Sequence, residues 1–271
     1  MEKYHIKPNA KVRLSDYDPN ALGDFEGEKR ECKKKFKQLC VQLGSLQKKL
    51  YAEHKHKILI VFQALDTGGK DGTIRAVFKK VNPQGVKVAN FKVPTPIELD
   101  HDYLWRVHTK VPGKGEMVIF NRSHYEDVLV VRVHKLVPHE VWSKRYRHIN
   151  EFEQILTEEG TTILKFFLHI DLEEQKKRFL ERLEDPQKNW KFNPKDIEER
   201  KLWGKYKEAY EEMLCRTSTD WAPWFVVPAN RNWIRNLIVA SIIVNTLNKL
   251  DMHFPNLIEN PEPYKAALES D

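Results

Sequence analysis

The stretch "ILIVFQALDTGGKDGT", residues 58–73, constrains the fold more than any other part of the chain. Five consecutive apolar residues are too short for a buried helix and read as a strand covered on both faces. Directly after them come a glycine pair, a lysine and the helix-patterned "GTIRAVFKKV". A strand that turns into a helix through glycines presents inward-facing amides and a helix N-terminus, a natural seat for an anion, with the lysine supplying full charge. The spacing Ala64-x-x-x-x-Gly69-Lys70 follows the phosphate-loop pattern with two departures. Ala64 replaces the first glycine, and Asp71 stands where a metal-binding hydroxyl is usual. Gly68, Gly69 and Lys70 carry the phosphate reading, and Asp71, Gly72 and Thr73 complete the predicted phosphate-binding set.

Four further runs, "VKVANF", "MVIFN", "TILKFFLHI" and "WFVVP", are short and rich in β-branched and aromatic residues, and helical periodicity separates most of them. The pattern predicts an α/β fold: a three-layer sandwich around a mainly parallel five-stranded sheet. Apolar spacing predicts an amphipathic helix over 28–53 and a core helix over 232–250, the latter read as packing only. Residues 1–27 lack periodicity and are expected to lie as an arm on the body of one 271-residue domain.

An acid beside bound phosphate is repelled unless a cation intervenes. Asp66 is therefore the first-choice ligand for a divalent ion of the magnesium type, which binds through few carboxylates and many phosphate oxygens. The role of Asp71 stays open, since an acid in the first helical turn is favoured without any metal. The third strand ends in "FNRSHYED", and ligands of open parallel sheets gather beyond the carboxyl ends of strands. Arg122 is expected there, gripping phosphate with its planar fork. Asn121 and Glu126 are assigned to the acceptor side, and Glu126 is also a candidate metal ligand. An amide at 121 cannot abstract a proton, which suits an acceptor that is already an ionised phosphate.

After the fourth strand, residues 174–212 concentrate lysines and arginines with Trp190, Trp203 and Tyr206. Such a run is usually a solvated helical face. Its position in the chain instead predicts a cationic lid over the phosphate crevice.

Lys and Arg exceed Asp and Glu by 46 − 39 = +7, so anionic partners are expected. Three cysteines without metal spacing point to a reducing cytoplasm. No segment reads as a membrane span.

Together "ALDTGGKDGT", "VPTPIE", "FNRSHYED", "DPQKNWKFNPKDIEERKLWGKY" and "APWFVVPANRNWIRN" resemble the polyphosphate kinase 2 family of polyphosphate:nucleotide phosphotransferases, over nearly the whole chain. The resemblance implies a thymidylate-kinase-like phosphate-loop fold with a helical lid, and inorganic polyphosphate and adenine nucleotides as substrates. It further implies Mg2+ or Mn2+ as cofactor, a dimer or tetramer, and neither nucleic acid nor membrane as partner. Carried onto this sequence, Asp66 binds metal and Lys70 and Arg122 hold the reacting phosphates. Arg178, Arg182, Lys188 and Lys191 line the lid side of the polyphosphate path. Many relatives have aspartate where this chain has Asn121 and asparagine where it has Glu126. The "FNRSHYED" form is similar to the subgroup that acts on both AMP and ADP. An ATP-dependent nucleotide kinase would use the same turn and lid, and a nucleic-acid-binding module would use the same basic balance.

Overall fold

The computed structural model describes residues 2–23, 25–255 and 260–270. Its sheet has five parallel strands in the order β2-β3-β1-β4-β5. These are β1 (Lys57–Gln63), β2 (Val86–Asn90), β3 (Met117–Asn121), β4 (Thr161–His169) and β5 (Trp224–Pro228), each starting within one residue of a predicted run. The helices that frame the site are α1 (Lys29–Glu53), α2 (Lys70–Val77), α3 (His139–Glu158), α4 (Leu172–Glu184), α5 (Lys195–Lys201), α6 (Trp203–Thr217) and α7 (Asn232–Asn248).

Alternation along β1 explains the three layers. Ile58, Ile60 and Phe62 face a core shared with α1, α2 and α7, while Leu59 and Val61 face a second core shared with α3 and α6. All five are fully buried, and each such side chain contributes at most about 1.5–3 kcal/mol. The expectation of burial on both faces fails only at β2, an edge strand that exposes Lys87, Val88 and Asn90. Helix α1 starts where a reciprocal capping box forms, Glu28 accepting from the backbone of Glu31 while Glu31 reaches back.

The N-terminal arm is tied down at the other sheet edge. The Ile6 N–H donates to the Trp224 carbonyl at 2.9 Å, and Ile6, Val12 and Leu14 are buried. The predicted lid stretch divides into parts with different surroundings. Residues 185–202, with α5, have no buried side chain, whereas α6 buries Tyr206, Ala209, Tyr210, Met213 and Leu214 against the sheet. No helix among the described residues is long and apolar enough to cross a membrane.

Candidate active site

Sheet register brings the site together. Phe62 of β1 lies opposite Asn121 of β3, so the turn after β1 and the loop after β3 leave the sheet side by side. The Arg122 N–H donates to the Phe62 carbonyl at 3.3 Å. Across this seam an Arg122 Nη2 donates to Asp66 Oδ1 at 3.0 Å.

Within the turn, the Gly68 N–H closes on Leu65 O at 2.9 Å, and Thr67 and Gly69 adopt left-handed φ of 61° and 95°. Gly68 compensates for Ala64: a Cβ at 68 would lie 2.5 Å from the Ala64 methyl. Gly69 makes room for a different neighbour, because a Cβ there would lie 2.1 Å from Arg235 Nη1. Helix geometry leaves the amides of Lys70, Asp71 and Gly72 without an intrahelical acceptor, as an anion seat requires. Thr73 is engaged within the helix: its N–H and its hydroxyl both donate to Gly69 O, at 2.9 and 3.0 Å, and the fully buried residue closes the first helical turn in this arrangement.

Lys70 bends back to donate to Ala64 O at 2.8 Å. Burial, then the neighbouring Arg122, push its ammonium down to about 8 against the pull of Asp66, Glu126 and Asp71. Burial also pushes the Glu126 carboxyl up, opposed by Arg122 and Lys70. Arg122 is held above its ordinary range despite burial, because Glu126 and Asp66 both face it. Two acids and two cations thus share one crevice.

Asp71 and Asn121 meet each other. The Asn121 amide donates to Asp71 Oδ1 at 2.7 Å, and Lys191 Nζ lies 3.5 Å from Oδ2. Burial disfavours the Asp71 carboxylate, but Asn121, Lys191 and Lys70 outweigh it and hold its pKa low. Asn121 therefore ties β3 to the start of α2, and Lys191 brings the 185–202 excursion down onto the same turn.

The other basic residues of that region divide. Arg182 lies 3.9 Å from Asp196, and Lys188 pairs with Asp185 at 2.6 Å. Arg178 grips backbone: it donates to Thr67 O at 2.9 Å and to Ala229 O at 2.6 Å, with Glu174 on its Nε. In this arrangement it fixes the turn to the end of β5. Arg200 donates to Gln175 Oε1, and Gln175 donates to Asp66 O, which joins α5 to the turn as well.

Arg235 was missed by treating α7 as packing only. It is 4% exposed, lies against Gly69, and hydrogen-bonds only to Asn236 Oδ1 among the described residues. Burial, then Arg178, push its guanidinium down to about 9, so it keeps its charge at neutral pH. A basic pair in "NRNWIRN" at a helix start was the available signal. The crevice continues past Arg122 and Glu126 to His134, Trp203, Tyr206 and Tyr210. There the Tyr206 hydroxyl and His134 both meet Glu199, at 2.7 and 3.0 Å.

Among the described residues no three acids, histidines or cysteines form a ready-made metal cage. Asp66 and Glu126 are two carboxylates facing the same two cations, and they fit an ion that takes its remaining ligands from phosphate and water.

Known proteins resemble this chain in sequence and in fold. The polyphosphate kinase 2 family profile matches residues 26–255. An AMP/ADP-polyphosphate phosphotransferase of Meiothermus ruber is 58% identical over 255 residues, 94% of this chain and 96% of the relative. An ADP-polyphosphate phosphotransferase of Rhodopseudomonas palustris is 42% identical over 266 residues, 94% of this chain and 92% of the relative. The crystal structure of polyphosphate kinase 2 from Arthrobacter aurescens TC1 superposes with a TM-score of 0.94 at 38% identity, over 98% of this chain and 95% of that one. With sequence and fold both matched along nearly its full length, the chain belongs to the polyphosphate kinase 2 family.

Proposed function

We infer that the protein is a phosphotransferase that moves phosphoryl groups between inorganic polyphosphate and AMP or ADP. The observation that carries this reading is the convergence of Lys70, Arg122 and Arg235, from three separate elements, on one glycine turn at the end of β1. Family membership supports polyphosphate as the donor. The name of the Meiothermus ruber relative supports both AMP and ADP as acceptors.

In the forward direction the terminal phosphorus of polyphosphate passes to an oxygen of the acceptor's phosphate. The bridging P–O bond breaks and the shortened chain leaves as an anion. The acceptor oxygen is already ionised, so no side chain need remove a proton, consistent with an amide at Asn121. Lys70 must leave Ala64 O to reach phosphate, and Arg122 must share its fork between Asp66 and the group in flight. Both cations act on charge spread over the transferring oxygens. Lys191, already at Asp71, supports closure of the 185–202 segment over the crevice, which would exclude water.

Asp66 and Glu126 would hold a Mg2+ or Mn2+ ion. Such an ion supplies charge neutralisation between phosphate oxygens. Asp66→Asn should raise the Mg2+ concentration for half-maximal rate about tenfold. A metal titration that coincides with the wild-type curve removes Asp66 from this role. Three free cysteines support a reducing, cytoplasmic setting.

The decisive assay supplies AMP or ADP with purified polyphosphate as sole donor, and in parallel supplies AMP with ATP. Product formation with polyphosphate is expected. Turnover with ATP but not with polyphosphate would turn the assignment to an ATP-dependent kinase.

A further inference from the structure

Beneath the Arg122 loop lies a charged cluster that the transfer reaction does not touch. Lys165 sits mid-strand in β4 and is fully buried, in a run that otherwise reads Thr-Ile-Leu and Phe-Phe-Leu. Its Nζ donates to Glu153 Oε2 at 2.5 Å, to the Tyr125 hydroxyl at 2.8 Å and to Thr217 O at 2.7 Å. Glu153, on α3 and fully buried, also receives the Tyr125 hydroxyl at 2.8 Å and His124 Nε2 at 3.2 Å. Opposite the ionised carboxylate, Nε2 carries the ring proton. Burial disfavours the Glu153 carboxylate, but Lys165 and His124 hold its pKa below the ordinary range.

A buried ion pair is not a good way to stabilise a core, since apolar residues of similar volume commonly do as well. The placement of this one suggests another use. His124 and Tyr125 follow Arg122 by two and three residues, and Arg122 holds a left-handed φ of 63° that an arginine rarely adopts. Between them Ser123 is fully buried, and its Oγ accepts from the Tyr125 N–H and from Gln63 Nε2, each at 3.2 Å. The loop is thereby pinned from β1 through Gln63, from α3 through Glu153, and from β4 and the end of α6 through Lys165. Strained backbone persists where its surroundings over-determine it.

We propose that Lys165, Glu153, Tyr125 and His124 form a positioning network that holds Arg122 in the conformation with which it grips phosphate. This rests on the reading of Arg122 given above. The four residues touch no substrate. They act through the backbone of residues 122–125, and a displacement of about 1 Å in a charged gripping group is enough to cost a large factor in rate.

A double-mutant cycle between Tyr125→Phe and Arg122→Ala tests this. In the otherwise wild-type protein, Tyr125→Phe should lower kcat about tenfold, with KM for polyphosphate and AMP changed less than about twofold. In the Arg122→Ala background the same substitution should cost less than about twofold, because the group it positions is gone. The charge-balanced pair Lys165→Met with Glu153→Gln should repeat the pattern and covers the case in which Tyr125→Phe does not fold. An equal loss from Tyr125→Phe with and without Arg122, or no loss in a folded protein, overturns the proposal. So does failure of both variants to fold, which would make the cluster structural. An undiminished rate in Arg122→Ala alone would instead refute the role of Arg122 itself, and the proposal would fall with it.

Discussion

Lys70→Ala is expected to reduce kcat by a hundredfold or more, on the order of 3 kcal/mol or above, while the protein stays folded. The ammonium is the one cation of the turn carried on a side chain long enough to leave its resting carbonyl and follow a phosphate. In the structure it donates to Ala64 O, so its removal also deletes one contact of the turn. A net hydrogen bond of that kind is worth only about 0.5–1.5 kcal/mol, too little to unfold the sheet. Thermal melting alongside initial rates separates the two effects. Lys70 also sets a pH dependence whose sign follows from its environment. Burial, then Arg122, lower its pKa to about 8, and the role proposed for Lys70 requires the protonated form. In the free enzyme the charge is lost as pH rises through about 8, so kcat/KM for polyphosphate should fall there. A bound polyanion favours the ammonium, so the limb in kcat should lie at higher pH. Unchanged turnover in Lys70→Ala would remove Lys70 from the reaction. A kcat/KM profile flat across that range would show that Lys70 keeps its proton in the free enzyme.

Arg122→Ala should cost about a hundredfold in kcat, with a smaller rise in KM for the acceptor. The loss has two sources. The guanidinium no longer meets the transferring oxygens, and Asp66 loses its hydrogen-bonded partner at 3.0 Å, so more of its negative charge is felt by the phosphate. Arg122→Lys should recover only part of the rate, since an ammonium restores charge but not the two-pronged geometry. Rates of AMP phosphorylation by polyphosphate at saturating Mg2+ provide the measurement. If the lysine variant matches wild type, bidentate grip plays no part. If the alanine variant does, Arg122 lies outside the chemistry.

Much of the site was legible because its signals are local. A strand ending in a glycine pair and lysine can be recognised from sixteen consecutive residues, and "FNRSHYED" announces itself by standing at the end of another strand. The pairing of Asp66 with Arg122 was foreseeable only as proximity, through the rule that parallel strands gather ligands at their carboxyl ends. Other features gave no such local sign. Lys165 is a single lysine within an apolar strand run and Glu153 one of several acids on α3, and neither carries a local mark of its partners. Arg178 read as a lid cation, yet it is bonded to the carbonyls of Thr67 and Ala229. Thr73 read as a phosphate ligand, yet it is closed onto Gly69. Asn121 and Asp71 had separate accounts and proved to be each other's partner.

The sequence by itself determined the five strands, the turn after the first and the families of side chains available around it, because propensity, periodicity and turn chemistry act over a few neighbouring residues. Only the tertiary structure decided which cation meets which oxygen. Those partners lie 50 to 111 positions apart for Asp71–Asn121, Asp66–Arg122 and Thr67–Arg178, and they meet because strand register and helix packing fix directions that no local pattern encodes. The room that Gly69 leaves for Arg235 of the last long helix has the same origin: two distant segments share a few ångströms only once the sheet between them has formed.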